Sequence, residues 1–320
     1  MTPPEQDTAE AGWSATWEVG ARELFALAVF PGREFNWEES FEKRIVCTTV
    51  RPEDRFQLED DALREYSKHA TVLMLFAGIY SHAPQGFEHA PYNVHDPERL
   101  DDTIALAREL GMETIIYRHP TSYEWVGLDL DYLLEDLRVT RARYGFDGWY
   151  FDGYPGAGLG EDWMAAWRAM RIVRERVGDA TIYVHCTLNP PSRMTEIYCP
   201  FIDSYATFLL RAEAQFIDGP TDPYLRYVVN TQHISNSIAT LKGNEMLAEA
   251  GSEEKASIRL QLETMLSLNG RCRWAYPGWP LRQGDVEDYI EYYYEELARM
   301  EAQWRDAGEP LPMTWPPGEE

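Results

Sequence analysis

The sequence is poor in cysteine, and its cysteines are not arranged for metal binding or redox chemistry. Only four occur in 320 residues, and no two of them form the C-x-x-C pair that zinc knuckles and dithiol redox sites use. They are expected to be isolated thiols: Cys47, Cys186, Cys199 and Cys272. The chain also lacks an apolar run long enough to cross a bilayer, so no membrane-spanning segment is predicted.

Positive charge is scarce as well. There are 54 acidic residues against 29 basic ones, which gives a net charge of −25, and only four of the basic residues are lysines. Such a surface repels nucleic acid and acidic lipid, and it is compatible with a neutral ligand. The N-terminal "MTPPEQDTAEAG" has neither the basic nor the apolar segment of a secretory signal, so a disordered lead-in over 1–19 and a cytoplasmic location are expected.

Strand and helix patterns alternate along the chain with a period of about 30 residues. Several of the strand-like runs are apolar on both faces, as in a parallel sheet that helices cover. The eight predicted strands lie within 24–30, 70–80, 112–117, 145–156, 180–186, 201–210, 236–242 and 271–276. The pattern predicts a single (β/α)8 TIM barrel over residues 20–306, followed by a Pro-rich tail over 307–320.

Local signals support the helices of this barrel. In "DPERLDD", Asp96 is predicted to cap a helix, Pro97 to occupy its first position and Gly111 to end it. The competing architecture is an open, doubly wound sheet, which needs a glycine-rich phosphate loop after an early strand. The stretch "FPGREF" after the first predicted strand is not such a loop, so the barrel is favoured.

In a barrel of this type the chemistry lies where the strands run into the following loops. There the predicted strands deliver carboxylates, hydrogen-bonding groups and aromatic rings, and neither a phosphate cradle nor a Ser-His-Asp spacing. This combination suits a sugar, because hydroxyls need directional partners and the apolar faces of sugar rings stack on aromatic side chains. The predicted substrate-binding residues are Arg33, Tyr80, His82, Tyr117, Arg118, His119, Tyr154, His185, Lys242, Trp274, Tyr276 and Trp279.

The stretch "GFDGWYFDGYPG" at 145–156 supplies the first candidate catalytic acid. Asp152 ends an aromatic strand, and the turn that follows lets a ligand approach closely. The alternative is an Asp that caps the next helix, but about nine residues separate it from the predicted helix near Glu161, which is longer than common barrel loops. Asp147 begins the strand, at the stability end of the barrel, and is assigned a structural role.

Glu213 is the second candidate acid. It follows "SYATFLLR", an aromatic and apolar strand that runs into a carboxylate. The alternative is a solvated glutamate in the first turn of the next helix. Asp203 and Glu245 are the reserve candidates, although Asp203 is expected to enter its strand from the far end of the barrel.

Aromatic residues near the last strand form a candidate platform for a sugar ring. Trp274 and Tyr276 alternate with less apolar neighbours, so they are expected to share the face that lies inside the barrel. Trp279 and Trp37 are further candidates, and the alternative for all four is core packing.

Seven histidines raise the question of a metal site. His82, His119 and His185 follow successive predicted strands at the same end of the barrel. However, the chain lacks the H-x-H pair of the metal-dependent hydrolase barrels, and a strand-end histidine also serves as a hydrogen-bond donor. We predict no metal and no cofactor, with a metal-dependent hydrolase or isomerase as the alternative.

The quoted stretch is similar to a motif of a known family. "GFDGWYFDG" resembles the fourth-strand motif of the alpha-amylase and alpha-galactosidase superfamily of glycoside hydrolases, where a "G-x-D-G" lead-in precedes a strand whose terminal Asp is the nucleophile. "DPERLDDTIALARELGMETIIYRHP" resembles the helix before strand three of those barrels. The resemblance implies that Asp152 is the nucleophile, and it suggests Glu213 as the acid/base from strand six. The branch's strand-six motif, which ends in Asp, is absent, and no C-terminal β-sandwich is expected.

These observations predict a retaining glycosidase that acts on a neutral oligo- or polysaccharide in carbohydrate metabolism. Asp152 would form a glycosyl-enzyme, and Glu213 would protonate the leaving oxygen and then activate water, with the two carboxyl groups about 5–5.5 Å apart. A barrel that binds carbohydrate without turnover is a further alternative. The expected partner is a carbohydrate substrate, with no nucleic acid and no membrane, and a homo-oligomer is compatible with the sequence.

Overall fold

The structure is a computed structural model, and it describes about half of the chain after residue 36. The described residues are 37–48, 59–76, 79–80, 94–119, 130–152, 163–185, 205–210, 262–263, 266, 270–271, 274–276 and 285–309. The chain divides into two compact units, Met1–Pro31 and Gly32–Glu320. All of the described residues belong to the second unit.

Helices and strands alternate through the first half of the described chain. The helices are α1 (Trp37–Glu42), α2 (Asp60–Tyr66), α3 (Pro97–Glu109), α4 (Leu130–Tyr144), α5 (Trp163–Val177) and α6 (Asp285–Ala307). The strands are β1 (Ile45–Thr48), β2 (Val72–Leu75), β3 (Glu113–Arg118), β4 (Gly148–Phe151), β5 (Thr181–His185), β6 (Phe208–Leu210) and β7 (Trp274–Tyr276).

These seven strands form one sheet in which all of the paired neighbours are parallel. The order across the sheet is β6-β5-β4-β3-β2-β1-β7. Strands that follow one another in the chain are therefore neighbours from β1 to β6, and the last strand returns to lie beside the first. Apart from the interval between β6 and β7, this is the strand order of a (β/α)8 barrel.

A polar contact on one face of the sheet shows how strongly the sheet curves. Lys43, just before β1, forms an ion pair with Glu113 of β3, and its Nζ lies 3.5 Å from Oγ1 of Thr181 in β5. The Thr181 hydroxyl also donates to Glu113 at 2.9 Å. In a flat sheet β1 and β5 would lie about 19 Å apart, because adjacent strands are about 4.8 Å apart. The sheet therefore curls around this face, which we call the inner face.

The opposite, outer face of the sheet packs against helices, and the strands are consequently buried on both sides. All four residues of β2 and of β4 are buried. The ring centroids of Trp149 in β4 and Phe146 are 5.6 Å apart in an edge-to-face arrangement. The guanidinium carbon of Arg141 in α4 lies over the Trp149 ring, 5.6 Å from its centroid. Burial on both faces explains why the strand sequences are continuously apolar and do not alternate between apolar and polar residues.

The helix that precedes β3 has the boundaries that its sequence predicts. The side chain of Asp96 accepts a hydrogen bond from the backbone N–H of Arg99 at 2.9 Å, and Pro97 is the first helical residue. Gly111 follows the helix with φ of 75°, a conformation that disfavours any residue with a Cβ. The predicted cap, first residue and stop are therefore confirmed.

The "GFDG" lead-in to β4 has a structural role at the amino end of the sheet. Gly145 follows α4 with φ of 72°. The Asp147 carboxylate accepts from the backbone N–H of Thr114 at 2.8 Å, which joins the starts of β3 and β4. Gly148 lies so close to β5 that a Cβ added to it would meet the carbonyl oxygen of Thr181 at 2.0 Å. The structural role assigned to Asp147 agrees with these contacts.

The prediction missed the first described strand. The position between β2 and β7 is occupied by Ile45–Thr48, which was not predicted as a strand. The predicted strand 24–30 lies outside the described residues. The predicted strand 236–242 also lies outside them. The predicted parallel α/β architecture is confirmed, whereas the domain boundaries after residues 19 and 306 stay predictions.

Candidate functional site

The site is built around Asp152, the residue that follows β4 at its carboxyl end. Its Oδ2 accepts a hydrogen bond from the Tyr117 hydroxyl at 2.9 Å, and its Oδ1 accepts one from the Tyr150 hydroxyl at 3.3 Å. Its backbone N–H donates to the carbonyl oxygen of Arg118 at 2.8 Å, which extends the pairing of β3 with β4 by one residue. Hydrogen bonds thus hold Asp152 at both its backbone and its side chain.

A row of aromatic rings lies below Asp152 on the inner face. Tyr117, Tyr150, Tyr183 and Phe208 occupy the same level of β3, β4, β5 and β6. Neighbouring rings in this set have centroids 5.9, 5.1 and 5.8 Å apart, and Phe76 joins the row at 4.7 Å from Tyr117. The four strand residues have no exposed surface. The aromatic row is therefore a packing layer that supports the site from below.

The strand register brings two of the predicted histidines to the level of Asp152. Arg118 pairs with Phe151, and Phe151 pairs with Val184. The next residues on the three strands are His119, Asp152 and His185, so they follow one another across the ends of β3, β4 and β5. His119 is 7% exposed. The level above the aromatic row thus has a carboxylate at its centre and a histidine on each neighbouring strand.

The structure does not bring Arg118 to this site. The Arg118 side chain has no exposed surface and lies on the outer side of β3, where its Nε donates to Asp136 of α4 at 2.8 Å and its Nη2 to Thr140 at 3.3 Å. It also donates to the hydroxyl of Tyr80, which in turn donates to the carbonyl oxygen of Tyr117 at 2.9 Å. These contacts give Arg118 and Tyr80 a role in joining β3 to α4 and to the segment after β2, because neither side chain is open to a ligand.

Tyr117 also differs from its predicted role as a substrate-binding residue. Its ring is fully buried in the aromatic row, and its hydroxyl donates to Asp152 rather than pointing to solvent. Tyr150 has the same kind of contact and was missed, although it belongs to the stretch that pointed to Asp152. Residues two apart in a strand share a face, so the separation of Tyr150 from Asp152 was the signal that could have identified it.

The remaining predicted residues are not tested by these contacts. Trp274 and Tyr276 form the two ends of β7, paired in register with Val46 and Thr48 of β1. The following residues lie outside the described part of the chain: Arg33, His82, Tyr154, Glu213, Lys242 and Trp279.

The described residues contain neither a metal-binding cluster nor a membrane-spanning helix. In this part of the chain, no group of three or more histidine, cysteine, aspartate or glutamate side chains is arranged to hold a metal ion. None of the helices described here is both long and apolar enough to cross a membrane. The metal-dependent alternative stays open, because it also relies on His82.

The fold and the site together define an α/β protein of parallel strands, with a polar site at the carboxyl ends of its central strands. No protein-family model and no curated protein matches the sequence. Solved structures do match the fold. An alpha-galactosidase from Thermus thermophilus aligns over 83% of this chain and 62% of its own, with a TM-score of 0.51 and 15% identity.

Other glycosidases align in the same way. An Anoxybacillus alpha-amylase aligns over 81% of this chain and 79% of its own, with a TM-score of 0.53 and 11% identity. The alpha-galactosidase AgaA from Geobacillus stearothermophilus aligns over 82% of this chain and 42% of its own, with a TM-score of 0.53 and 10% identity. The predicted resemblance to glycoside hydrolase barrels is thus confirmed at the level of the fold. The chain spans less than two thirds of the length of the alpha-galactosidases that it matches.

Proposed function

We propose that this chain is a retaining glycoside hydrolase in which Asp152 is the nucleophile. The observation that supports it is the position of Asp152, at the carboxyl end of β4, with each carboxylate oxygen held by a tyrosine hydroxyl. Barrel enzymes carry their catalytic groups at this end of the sheet. The fold shared with alpha-galactosidases and an alpha-amylase is consistent with this chemistry.

In this mechanism an oxygen of Asp152 attacks the anomeric carbon of the sugar while the glycosidic bond breaks. A second carboxylic acid protonates the leaving oxygen and later removes a proton from the water that hydrolyses the glycosyl-enzyme. We propose Glu213 for that acid, at about 5–5.5 Å from Asp152, the separation that retaining glycosidases use. Two donated hydrogen bonds suit Asp152 to the nucleophile role, because they stabilise the ionised carboxylate.

The proposal includes closure of the sheet into a (β/α)8 barrel, with 236–242 as the strand between β6 and β7. The curvature that brings Lys43, just before β1, to Thr181 of β5 supports this closure. His119 and His185 flank Asp152 in register and are proposed to bind sugar hydroxyls, as are Lys242 and the aromatic residues of β7. The substrate is proposed to be a neutral oligo- or polysaccharide.

A screen of chromogenic glycosides tests the proposed activity. The Thermus alpha-galactosidase was solved with p-nitrophenyl alpha-D-galactopyranoside and with stachyose, so alpha-galactosides head the panel, followed by alpha-glucosides. For any substrate that is cleaved, Asp152→Asn is expected to lower kcat by about 10³-fold or more, because the amide is not a nucleophile. NMR of the first-formed sugar should show the anomer of the substrate.

Asp147→Asn is the matched control, since it makes the same change at the other end of the same strand. It should keep most of the activity of the wild type, because an amide oxygen can still accept from Thr114. Unchanged specific activity of Asp152→Asn would contradict the proposed role. Sugar binding without turnover by the wild type would indicate the binding barrel instead, and activity that a chelator removes would indicate the metal-dependent alternative.

A further inference from the structure

The two hydrogen bonds to Asp152 come from different strands and are of different lengths. Tyr117 lies on β3 and reaches Oδ2 at 2.9 Å, whereas Tyr150 lies two residues before Asp152 on β4 and reaches Oδ1 at 3.3 Å. The hydrogen bond from Tyr117 is therefore the stronger of the two, since hydrogen bonds of this type have their preferred length near 2.7–2.8 Å.

Neither hydroxyl can turn away from the carboxylate without disturbing its neighbours. The Tyr117 ring packs edge-on against Phe76 at 4.7 Å, and the Tyr150 ring lies 5.1 Å from Tyr183. Both tyrosine side chains have no exposed surface. Because close-packed rings keep their rotamers, the two hydroxyls are fixed in place before any ligand arrives. Fixed donors need no reorganisation during a reaction.

We propose that Tyr117 and Tyr150 are positioning residues that orient the Asp152 carboxylate and keep it ionised. This inference rests on the proposed glycosidase function. Tyr117 anchors Oδ2, so the carboxylate cannot rotate. Tyr150 holds Oδ1 in the same way, through the longer of the two hydrogen bonds.

The bond changes follow from this arrangement. A lone pair of the Asp152 carboxylate forms the new bond to the anomeric carbon, and the electron pair of the glycosidic bond moves to the leaving oxygen, which takes its proton from the acid. The negative charge leaves Asp152 in this step, so both tyrosines then donate to a neutral ester. Attack of water reverses these changes and restores the carboxylate, whose two oxygens again accept hydrogen bonds from the tyrosines as charged groups.

Tyr117→Phe and Tyr150→Phe test the idea, since phenylalanine keeps each ring and removes only the hydroxyl. Each variant is expected to lose about 10- to 100-fold in kcat/KM, the loss expected for one hydrogen bond to a charged group. The acidic limb of the pH–activity profile should move to higher pH in both, because a carboxylate without its donor protonates more readily. The shift should be larger for Tyr117→Phe, whose lost bond is the shorter one.

Tyr183→Phe is the control. It removes a hydroxyl from the next ring of the aromatic row, while the two hydrogen bonds to Asp152 described above come from Tyr117 and Tyr150. Its acidic limb should coincide with that of the wild type. The proposal would be overturned if the acidic limbs of all three variants coincided with that of the wild type. It would also be overturned if Tyr183→Phe shifted the acidic limb as much as the other two variants do.

A readout that does not need activity separates this inference from the proposed function. In protein labelled with ¹³C at the aspartate carboxyl carbons, the signal absent from Asp152→Asn reports the titration of Asp152. Its midpoint should move to higher pH in Tyr117→Phe and Tyr150→Phe but not in Tyr183→Phe. If the midpoints move and no glycoside is cleaved, the positioning role stands and the hydrolase function fails. If glycosides are cleaved and neither midpoint moves, the positioning role fails.

Discussion

Gly148→Ala is expected to damage the sheet more than its size suggests. Gly148 pairs with Thr181 across β4 and β5, and a Cβ at this position would lie 2.0 Å from the Thr181 carbonyl oxygen and 2.8 Å from its carbonyl carbon. Ordinary contact begins at 3.4 Å. The obstacle is backbone in the next strand, so no side chain can rotate to make room.

The strands would have to separate by about 1.4 Å to relieve this contact. A backbone hydrogen bond of ordinary length would then exceed 4 Å and be lost, at about 0.5–1.5 kcal/mol for each bond. Overpacking of a buried site adds about 1–3 kcal/mol. We therefore expect Gly148→Ala to lower the free energy of unfolding by about 2–4 kcal/mol.

Urea denaturation of purified protein measures this loss, with Gly111→Ala as the matched control. An added Cβ at Gly111 meets no atom within 4 Å, so only the strain of its φ of 75° remains. That strain is worth about 1–2 kcal/mol. A loss for Gly148→Ala no greater than that for Gly111→Ala would show that β4 and β5 can separate freely, which would refute the reasoning.

Two further variants test buried charged and titratable groups. Arg271 is 2% exposed and donates to the carbonyl and hydroxyl oxygens of Ser40 at 2.9 and 2.8 Å, and burial lowers its pKa to about 10, so it stays charged at neutral pH. Arg271→Lys cannot span these acceptors and should cost about 2–3 kcal/mol in urea unfolding; an unchanged midpoint would contradict this. Burial also lowers the pKa of His69, which stacks on Tyr294 at 5.0 Å. Its neutral form is favoured in the folded state, so stability present above the ordinary value of 6.5 should be lost as pH falls through the lowered pKa. His69→Phe should weaken that dependence in urea midpoints measured between about pH 8 and pH 5, and an equal dependence would exclude His69 as its source.

The sequence predicted those parts of the fold that depend on local chemistry. The Asp96 cap and the Gly111 stop depend only on neighbouring residues in the sequence. The strand that ends at Asp152 is rich in aromatic residues, which identifies it without knowledge of its tertiary contacts. The strand Ile45–Thr48 was missed because it is a shorter apolar run than 24–30. The choice between them depends on pairing with β2 and β7, which a local pattern does not record.

The contacts of Arg118 and Tyr117 also depend on more than a local pattern. Arg118 stands at the end of a strand, where a charged side chain suggests a ligand contact, but alternation turns it toward the outer face. Its partners there, Asp136 and Thr140, are four residues apart in α4, a spacing that places polar groups on one side of a helix. Tyr117 was expected to face the substrate and instead supports the carboxylate from below.

The ion pair and hydrogen bonds among Lys43, Glu113 and Thr181 also have a consequence for kinetics. They join positions separated by up to 138 residues in the chain. Such a contact forms only after a long segment has been ordered, because its loop-closure entropy must be offset first. It should therefore form after the transition state for folding. Removing it, as in Lys43→Met, is expected to speed unfolding while leaving the refolding rate nearly unchanged.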